Sequence, residues 1–311
     1  MRTDDKDSSV TSINDRQEPT TSASIIRPPA HVAVIGAGVM GRGIAYAAAL
    51  GGAQTTLIDL DVGQLGGAVD QIHRDLRTGI EGGRVTEEAA RSAEELLSTT
   101  TALDEGCADT ELVIEAVLER IDVKHDVLRA AEKVAAAGAV MATNTSGMSI
   151  TEIAACLDDP SRGVGMHFFN PVPKMRLCEL IRGLRTSPDT MDRAEAAGQA
   201  FGKKTVRVED LPGFATSRIS ALIANEAMRM LEDGVASAED IDTAVKLGLN
   251  HPMGPLEMGD MVGWDTRLDI LSYLADRLGD RYKPTNLHRR LVAAGRNGRK
   301  AGHGVYRYDD R

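Results

Sequence analysis

The chain has 311 residues, enough for one large domain or two ordinary ones, and 42 % of them are apolar, which suffices for a sizeable core. Asp and Glu outnumber Lys and Arg by 46 to 36, giving a formal charge of −10, and aromatics make up 3 %. Such a surface repels phosphate backbones and offers few stacking platforms, so nucleic acid is excluded as an expected partner.

Residues 1–29 are rich in Ser, Thr and Asp and read as a disordered tail. The tail has no apolar h-region, which speaks against a secretory signal, and Asp4, Asp5, Asp7 and Asp15 speak against a mitochondrial presequence. No apolar run approaches the length of a membrane span, so a cytoplasmic protein without membrane partners is expected. The three cysteines, Cys107, Cys156 and Cys178, are odd in number and not at metal-ligand spacing. Neither a disulfide framework nor a metal site is therefore expected.

Order begins at His31. "HVAVI" (31–35) is a short apolar strand, and "GAGVMGRGIAYAAALGG" reads as a glycine turn, an Ala-rich helix and a Gly stop. "QTTLID" gives a second strand. Residues 62–97 are helical by pattern, interrupted near Gly79–Gly83. "ELVIEAV" (111–117) is a buried strand, 120–137 a helix, and "AVMAT" (139–143) a strand again. "RGVGMHFF" (162–169) and "KKTVRVED" (203–210) are further strands around a helix at 188–201. Strands alternating with helices of this length imply a parallel sheet covered on both faces. After "DLPGF" (210–214) the apolar spacing is helical, with Ile219, Leu222, Ile223, Ala227, Met230 and Leu231 on one face. Ser237, with Asp240 three residues on, and Thr285 read as helix caps. The expected architecture is α/β. A Rossmann-type doubly wound sheet occupies 30–212, and a smaller all-α domain follows over 213–311, with the boundary at Pro212–Gly213.

Gly36, Gly38 and Gly41 spell G-x-G-x-x-G, with Val39 and Met40 inside the turn. Alone the motif is weak, but here it follows a strand and opens a helix. Gly36 serves the turn, Gly38 the approach of a pyrophosphate, and Gly41 helix–strand packing. The helix N-terminus then offers free N–H groups to phosphates. Asp59 lies 23 residues after Gly36, where an acid accepts hydrogen bonds from a ribose 2′-hydroxyl. Asp61 adds a second negative charge, and no Arg lies between Ile58 and Gln71, which favours NAD over NADP.

"TNTSGMSI" (143–150) places a small polar cluster at the carboxyl end of a strand, where ligands bind in open α/β sheets. His167 ends a later strand, and Glu179 follows 12 residues on, across a loop with Pro171 and Pro173. A His oriented by a carboxylate is a general base. From the residues alone, a satisfied structural histidine is favoured over the base, because the pairing rests on spacing only.

Seven stretches carry a resemblance: "VAVIGAGVMGRGIA", "LVIEAVLERIDVK", "ATNTSGMSI", "GMHFFNPVPKMRLCELI", "DLPGFATSRI", "LEDGVASAEDIDTAVKLGLNHPMGPLEMGDMVGWD" and "GRKAGHGVYRY". Running from about residue 31 to 308, the chain resembles the NAD-dependent (S)-3-hydroxyacyl-CoA dehydrogenase family, most of all its single-function 3-hydroxybutyryl-CoA members. The resemblance implies that His167 is the base that takes the 3-hydroxyl proton as hydride leaves C3, and that Glu179 orients it. It implies that Ser146 hydrogen-bonds the substrate oxygen, that Asn144 lies near nicotinamide and substrate, and that Glu119 and Lys124 line the cofactor site. It further implies a helical C-terminal domain that dimerises and closes over the cleft.

Two positions depart from the family pattern. Gly147 stands where many relatives carry a second Ser, and Ser217 where relatives often have a substrate-holding Asn. Arg74, Arg77 and Arg84 follow the second strand and are either phosphate ligands for CoA or solvated helix charges. Related chemistry on an acyl carrier protein or on a free sugar acid stays open, as does a non-catalytic, crystallin-like NAD-binding role. The apolar positions of 253–278, namely Leu256, Met261, Trp264, Leu268, Leu271, Tyr273 and Leu274, exceed what one small helical domain buries alone. A homodimer through 214–311 is therefore expected, with the nucleotide domains hinging at Pro212–Gly213.

Overall fold

The computed structural model describes residues 26–308. The expected tail lies outside the described residues up to position 25. From Ile26 the chain is placed: Arg27 pairs with Glu111, and the same carboxylate accepts the Ala30 N–H at 2.7 Å.

Strand β1 (His31–Ile35) enters a tight turn in which Gly36 adopts φ +102°, a conformation open to glycine. Helix α1 (Val39–Leu50) starts directly after it, and a Cβ on Gly41 would lie 1.7 Å from the Gly36 carbonyl oxygen. Next come β2 (Gln54–Ile58), α2 (Val62–Glu81), capped by Asp61, and α3 (Glu87–Glu95), capped by Thr86. A strand β3 (Leu97–Thr100) then forms where the helical pattern was extended to residue 97. Its sequence, LSTT, is polar and sits at the sheet edge, so no apolar alternation announces it. The remaining elements are α4 (Leu103–Cys107), β4 (Leu112–Glu115), α5 (Ile121–Glu132), β5 (Val140–Thr143), α6 (Ile150–Ala154), β6 (Gly163–Phe168), β7 (Leu177–Arg182), α7 (Pro188–Ala200) and β8 (Lys204–Glu209).

These strands form one sheet, ordered β3-β2-β1-β4-β5-β6-β7-β8. Every neighbouring pair is parallel except β6–β7. Residues 169–176 between those two strands are too few for a crossover, so the chain must turn back antiparallel. Ile44, Leu57, Ile72, Leu76, Met191 and Phe201 fill the core on one sheet face, and Val113, Leu128, Met141, Ile153 and Leu157 fill it on the other. All three cysteines are free and buried.

The helical part comprises α8 (Thr216–Glu232), α9 (Ala238–Gly248), α10 (Pro255–Val262), α11 (Trp264–Leu278) and α12 (Asn286–Ala293). Ser237 and Thr285 cap α9 and α12 by accepting the Asp240 and His288 N–H groups. The closing segment is clasped by two buried carboxylates. Asp260 accepts from the Trp264 indole, the Val305 and Tyr306 N–H groups and the Tyr308 hydroxyl; Asp242 accepts from the Leu256 and Glu257 N–H groups and the Tyr306 hydroxyl.

Two expectations need correction here. α8 buries Ala221, Ala224, Asn225, Ala227 and Met228, whereas Ile219 is 60 % and Leu222 37 % exposed. Small alanines allow close helix approach and leave Ile219 and Leu222 outside, while Ala227 of the expected face is buried and Met230 and Leu231 pack partly against the core. In the 253–278 segment, Leu256, Trp264, Leu271 and Leu274 are fully buried within their own chain. They satisfy themselves without a second copy, and Met261 is the residue of that group which stays exposed.

Candidate active site

The carboxyl ends of β1, β2 and β4 open a cleft of about 580 Å³ lined by Gly36, Gly38, Asp59, Gln64, Val117 and Leu118, among others, with no Lys or Arg among its lining residues. A Cβ on Gly38 would meet nothing within 4 Å, so this position borders open space. The Asp59 carboxylate accepts the Ala37 N–H at 2.8 Å and the Asp61 N–H at 3.0 Å, which ties the end of β2 to the glycine turn. Asp61 is engaged as the cap of α2, accepting the Gly63 N–H at 2.7 Å. Val39 is exposed on the first turn of α1, and Met40 packs partly against the core. A glycine turn at a helix N-terminus, an acid on the next strand and apolar walls fit a dinucleotide without a 2′-phosphate.

Beside this cleft, Glu115 at the end of β4 is fully buried and paired with Lys124, whose Nζ lies 2.9 and 3.0 Å from its two oxygens. Lys124 is 1 % exposed and also reaches Glu119 at 3.1 Å. Its ammonium therefore braces Glu119 from below, and the walls of the cleft are Val117 and Leu118. Glu119 accepts the Thr145 hydroxyl and, at 3.4 Å, the Ser146 N–H. Thr143 donates its hydroxyl to Glu115. The polar stretch after β5 is thus anchored to this buried pair.

His167 and Glu179 stand directly opposite each other in the β6–β7 ladder. His167 Nδ1 lies 2.8 Å from Glu179 Oε2, and both side chains are buried. Thr216, the first residue of α8, donates its N–H to Oε1 at 2.9 Å and its hydroxyl to Oε2 at 3.0 Å. Burial alone would raise the Glu179 carboxyl pKa, but hydrogen bonds from His167 and Thr216 outweigh it and hold it below the ordinary value. An ionised carboxylate only accepts, so Nδ1 carries a proton, and in the neutral imidazole Nε2 is then the nitrogen with the lone pair.

Asn144 bridges β5 and β6, its side-chain oxygen accepting the Phe168 N–H at 2.9 Å beside His167. Its NH₂ group makes no bond among the described residues. The Ser217 hydroxyl donates to the Ser146 carbonyl at 3.2 Å, and this contact links α8 to the polar stretch. Asp210 accepts four bonds from Ser149, Ile150 and Thr151 and so seats the N-terminus of α6.

Among known families, the 3-hydroxyacyl-CoA dehydrogenase NAD-binding domain matches residues 31–211, and the C-terminal domain of the same family matches 213–308. The chain belongs to the 3-hydroxyacyl-CoA dehydrogenase family. It is an NAD-dependent oxidoreductase of that family. A probable 3-hydroxybutyryl-CoA dehydrogenase of Bacillus subtilis is 39 % identical over 281 residues, covering 90 % of this chain and 98 % of the relative. The 3-hydroxybutyryl-CoA dehydrogenase of Bradyrhizobium diazoefficiens is 41 % identical over 278 residues, covering 89 % and 94 %. The crystal structure of (S)-3-hydroxybutyryl-CoA dehydrogenase from Ralstonia eutropha superposes with a TM-score of 0.87 at 40 % identity, covering 91 % of this chain and 100 % of that one.

In this dehydrogenase Arg74, Arg77 and Arg84 are all exposed, on α2 and the turn after it. Arg74 folds onto Gln71, and Arg84 reaches the Thr78 carbonyl at 3.4 Å. Three site residues escape a reading of the sequence: Glu115, Asp210 and Thr216. Glu115 did leave a signal, being an acid inside the otherwise apolar run "LVIEAV". Thr216 left none, since its role exists only once α8 abuts the sheet. No helix among the described residues is long and apolar enough to cross a membrane, and no group of three or more His, Cys, Asp and Glu there is placed to hold a metal ion.

Proposed function

We propose that the enzyme oxidises short-chain (S)-3-hydroxyacyl-CoA, such as 3-hydroxybutyryl-CoA, with His167 as the general base. The observation that carries this is the fixed tautomer: Glu179, doubly bonded by Thr216, holds Nδ1–H and leaves Nε2 to receive a proton. As the 3-hydroxyl proton moves to Nε2, the carboxylate stabilises the imidazolium. NAD, held by Gly36, Gly38, Val39, Met40, Gly41 and Asp59, supplies the hydride acceptor. The Ser146 hydroxyl and the Asn144 NH₂ group hold the substrate oxygen. Ser217 acts by positioning Ser146 through its carbonyl, and Glu119 and Lys124 set the height of the same stretch beside the cofactor.

The test is NADH formation from 3-hydroxybutyryl-CoA, run beside a hydroxyacyl carrier protein and a free sugar acid. Asp59 and a cleft lining without Lys or Arg favour a 2′-hydroxyl. kcat/KM is therefore expected to be higher with NAD than with NADP, and the reverse order would refute this assignment.

The working unit in this reading is a cytoplasmic homodimer assembled through residues 214–311, with the 30–212 unit hinging at Pro212–Gly213. The motive is the apolar surface left on packed helices α8 and α10, at Ile219, Leu222, Met261 and Val262. Sedimentation at micromolar concentration is expected to give twice the 33.2 kDa chain mass. A single species at the chain mass would overturn it.

A further inference from the structure

Arg267 stands on the buried face of α11 between Trp264 and Leu271 and is 4 % exposed. Among the described residues its side chain makes no hydrogen bond and no ion pair, and its Nε is buried without any partner. Burial pulls its pKa down to about 10, so it is still charged at neutral pH. Charges this deep in a protein are ordinarily paired, because a bare one forfeits its hydration for nothing.

Four acids of the helical domain are engaged elsewhere. Asp242 and Asp260 are saturated by the clasp, Glu257 pairs with Arg299, and Asp265 pairs with Lys300. The guanidinium instead lines a cavity of about 220 Å³. Its lining is mostly apolar, with Ile219, Ile223, Met253, Pro255 and Met258, and His251 and Ser220 are its further polar members. Thr216, the residue that holds Glu179 behind His167, also lines it. From Thr216 to Ala224 the cavity follows α8 for about 12 Å, at 1.5 Å per residue. A largely apolar groove thus brings the residue behind the catalytic pair and one unpaired guanidinium into the same space.

We propose that this cavity receives the far end of the acyl chain, and that Arg267 there binds a terminal carboxylate. The enzyme thereby accepts 3-hydroxyacyl-CoA esters whose acyl group ends in a carboxylate. The methionines flex around the methylenes, and the planar guanidinium pairs the carboxylate in two parallel bonds. An unsubstituted chain in the same place would cover the cation without neutralising it. The proposal rests on the reading of His167 as the base acting on a 3-hydroxyacyl-CoA.

The test compares 3-hydroxyadipyl-CoA with 3-hydroxyhexanoyl-CoA, and 3-hydroxysuberyl-CoA with 3-hydroxyoctanoyl-CoA, on the full-length enzyme. The readout is the ratio of kcat/KM within each pair, so a loss common to both members cancels. The native ratio is expected to favour the carboxylate-ended member of at least one pair. Arg267→Met is expected to lower that ratio by roughly ten- to a hundredfold, and Arg267→Lys by less, because it keeps the charge and loses the second bond. Should Arg267→Met fail to fold, the native ratios and Arg267→Lys still decide. Native preference for the unsubstituted members overturns the proposal alone. Unchanged ratios in Arg267→Met overturn it too; if that variant also sediments as a monomer, the missing carboxylate belongs to a second copy of the chain. Failure to oxidise any of the four esters overturns the reading of the catalytic pair as well.

Discussion

Replacing His167 with Gln is expected to lower kcat by roughly two to four orders of magnitude, the usual worth of a general base. The amide keeps a polar group at the site but cannot take a proton. NAD affinity, read by calorimetry, is expected to hold, because the dinucleotide cleft is built on β1, β2 and β4 and His167 is not among its lining residues. Residual turnover above a tenth of the native value would show that another group takes the proton. Glu179→Gln is expected to fall short of that loss, since the residue orients the imidazole and does not transfer the proton itself. Thr216→Val gives a third reading. It removes one of the bonds that hold the Glu179 carboxyl below its ordinary pKa, so that pKa rises. A carboxyl depressed in the folded state contributes stability above its unfolded pKa and loses it as pH falls through the folded value. Thr216→Val is therefore expected to lower stability most at neutral pH, where the carboxylate is ionised, and urea midpoints of variant and native protein are expected to converge as pH falls through the folded value.

The sequence exposes those features whose physics is local. The glycine turn is legible because the steric demand falls on residues five positions apart: Gly41 must lack a Cβ so that the Gly36 carbonyl can sit against it. Asp59 is legible because strand length and helix length fix its distance from that turn. The His167–Glu179 contact is half legible. The spacing of 12 is in the sequence, but opposite registration requires β7 to run antiparallel to β6, and only the short 169–176 connection dictates that. What depends on tertiary packing stays hidden. The helical period of α8 is correctly read, yet periodicity cannot fix the centre of the buried face, which shifts toward Ala221 and Ala224 and leaves Ile219 and Leu222 at its edge. LSTT becomes a strand because an edge position completes the sheet, against the polarity of its residues. The ion pairs of Lys124 with Glu115 and Glu119 are hidden too, because they exist only once α5 packs against the end of β4.

That buried pair carries the second large effect, this time on stability. Lys124→Met is expected to destabilise the fold by about 3–5 kcal/mol, the cost of leaving a buried carboxylate without its counter-charge. Glu115 would keep neutral donors, the Thr143 hydroxyl and the Val117 N–H, and neither cancels its charge. In a chain of this size the melting temperature is expected to drop by roughly 5 to 8 °C. Putting Gln at position 115 in the same molecule removes the orphaned charge, and the double variant is expected to regain most of the loss, because a buried ion pair is about break-even against uncharged packing. Urea midpoints of the native protein, both single variants and the double variant close the cycle, and the coupling is read directly. A loss below 1 kcal/mol in Lys124→Met, or a double variant no better than the single, would mean that the pair is wetter than its geometry implies. The pair also reaches function through Glu119, which Lys124 holds at 3.1 Å and which in turn holds Thr145 and Ser146. The double variant that recovers stability is therefore still expected to show a raised KM for the acyl substrate, since Glu119 is released in it and Ser146 loses its anchor.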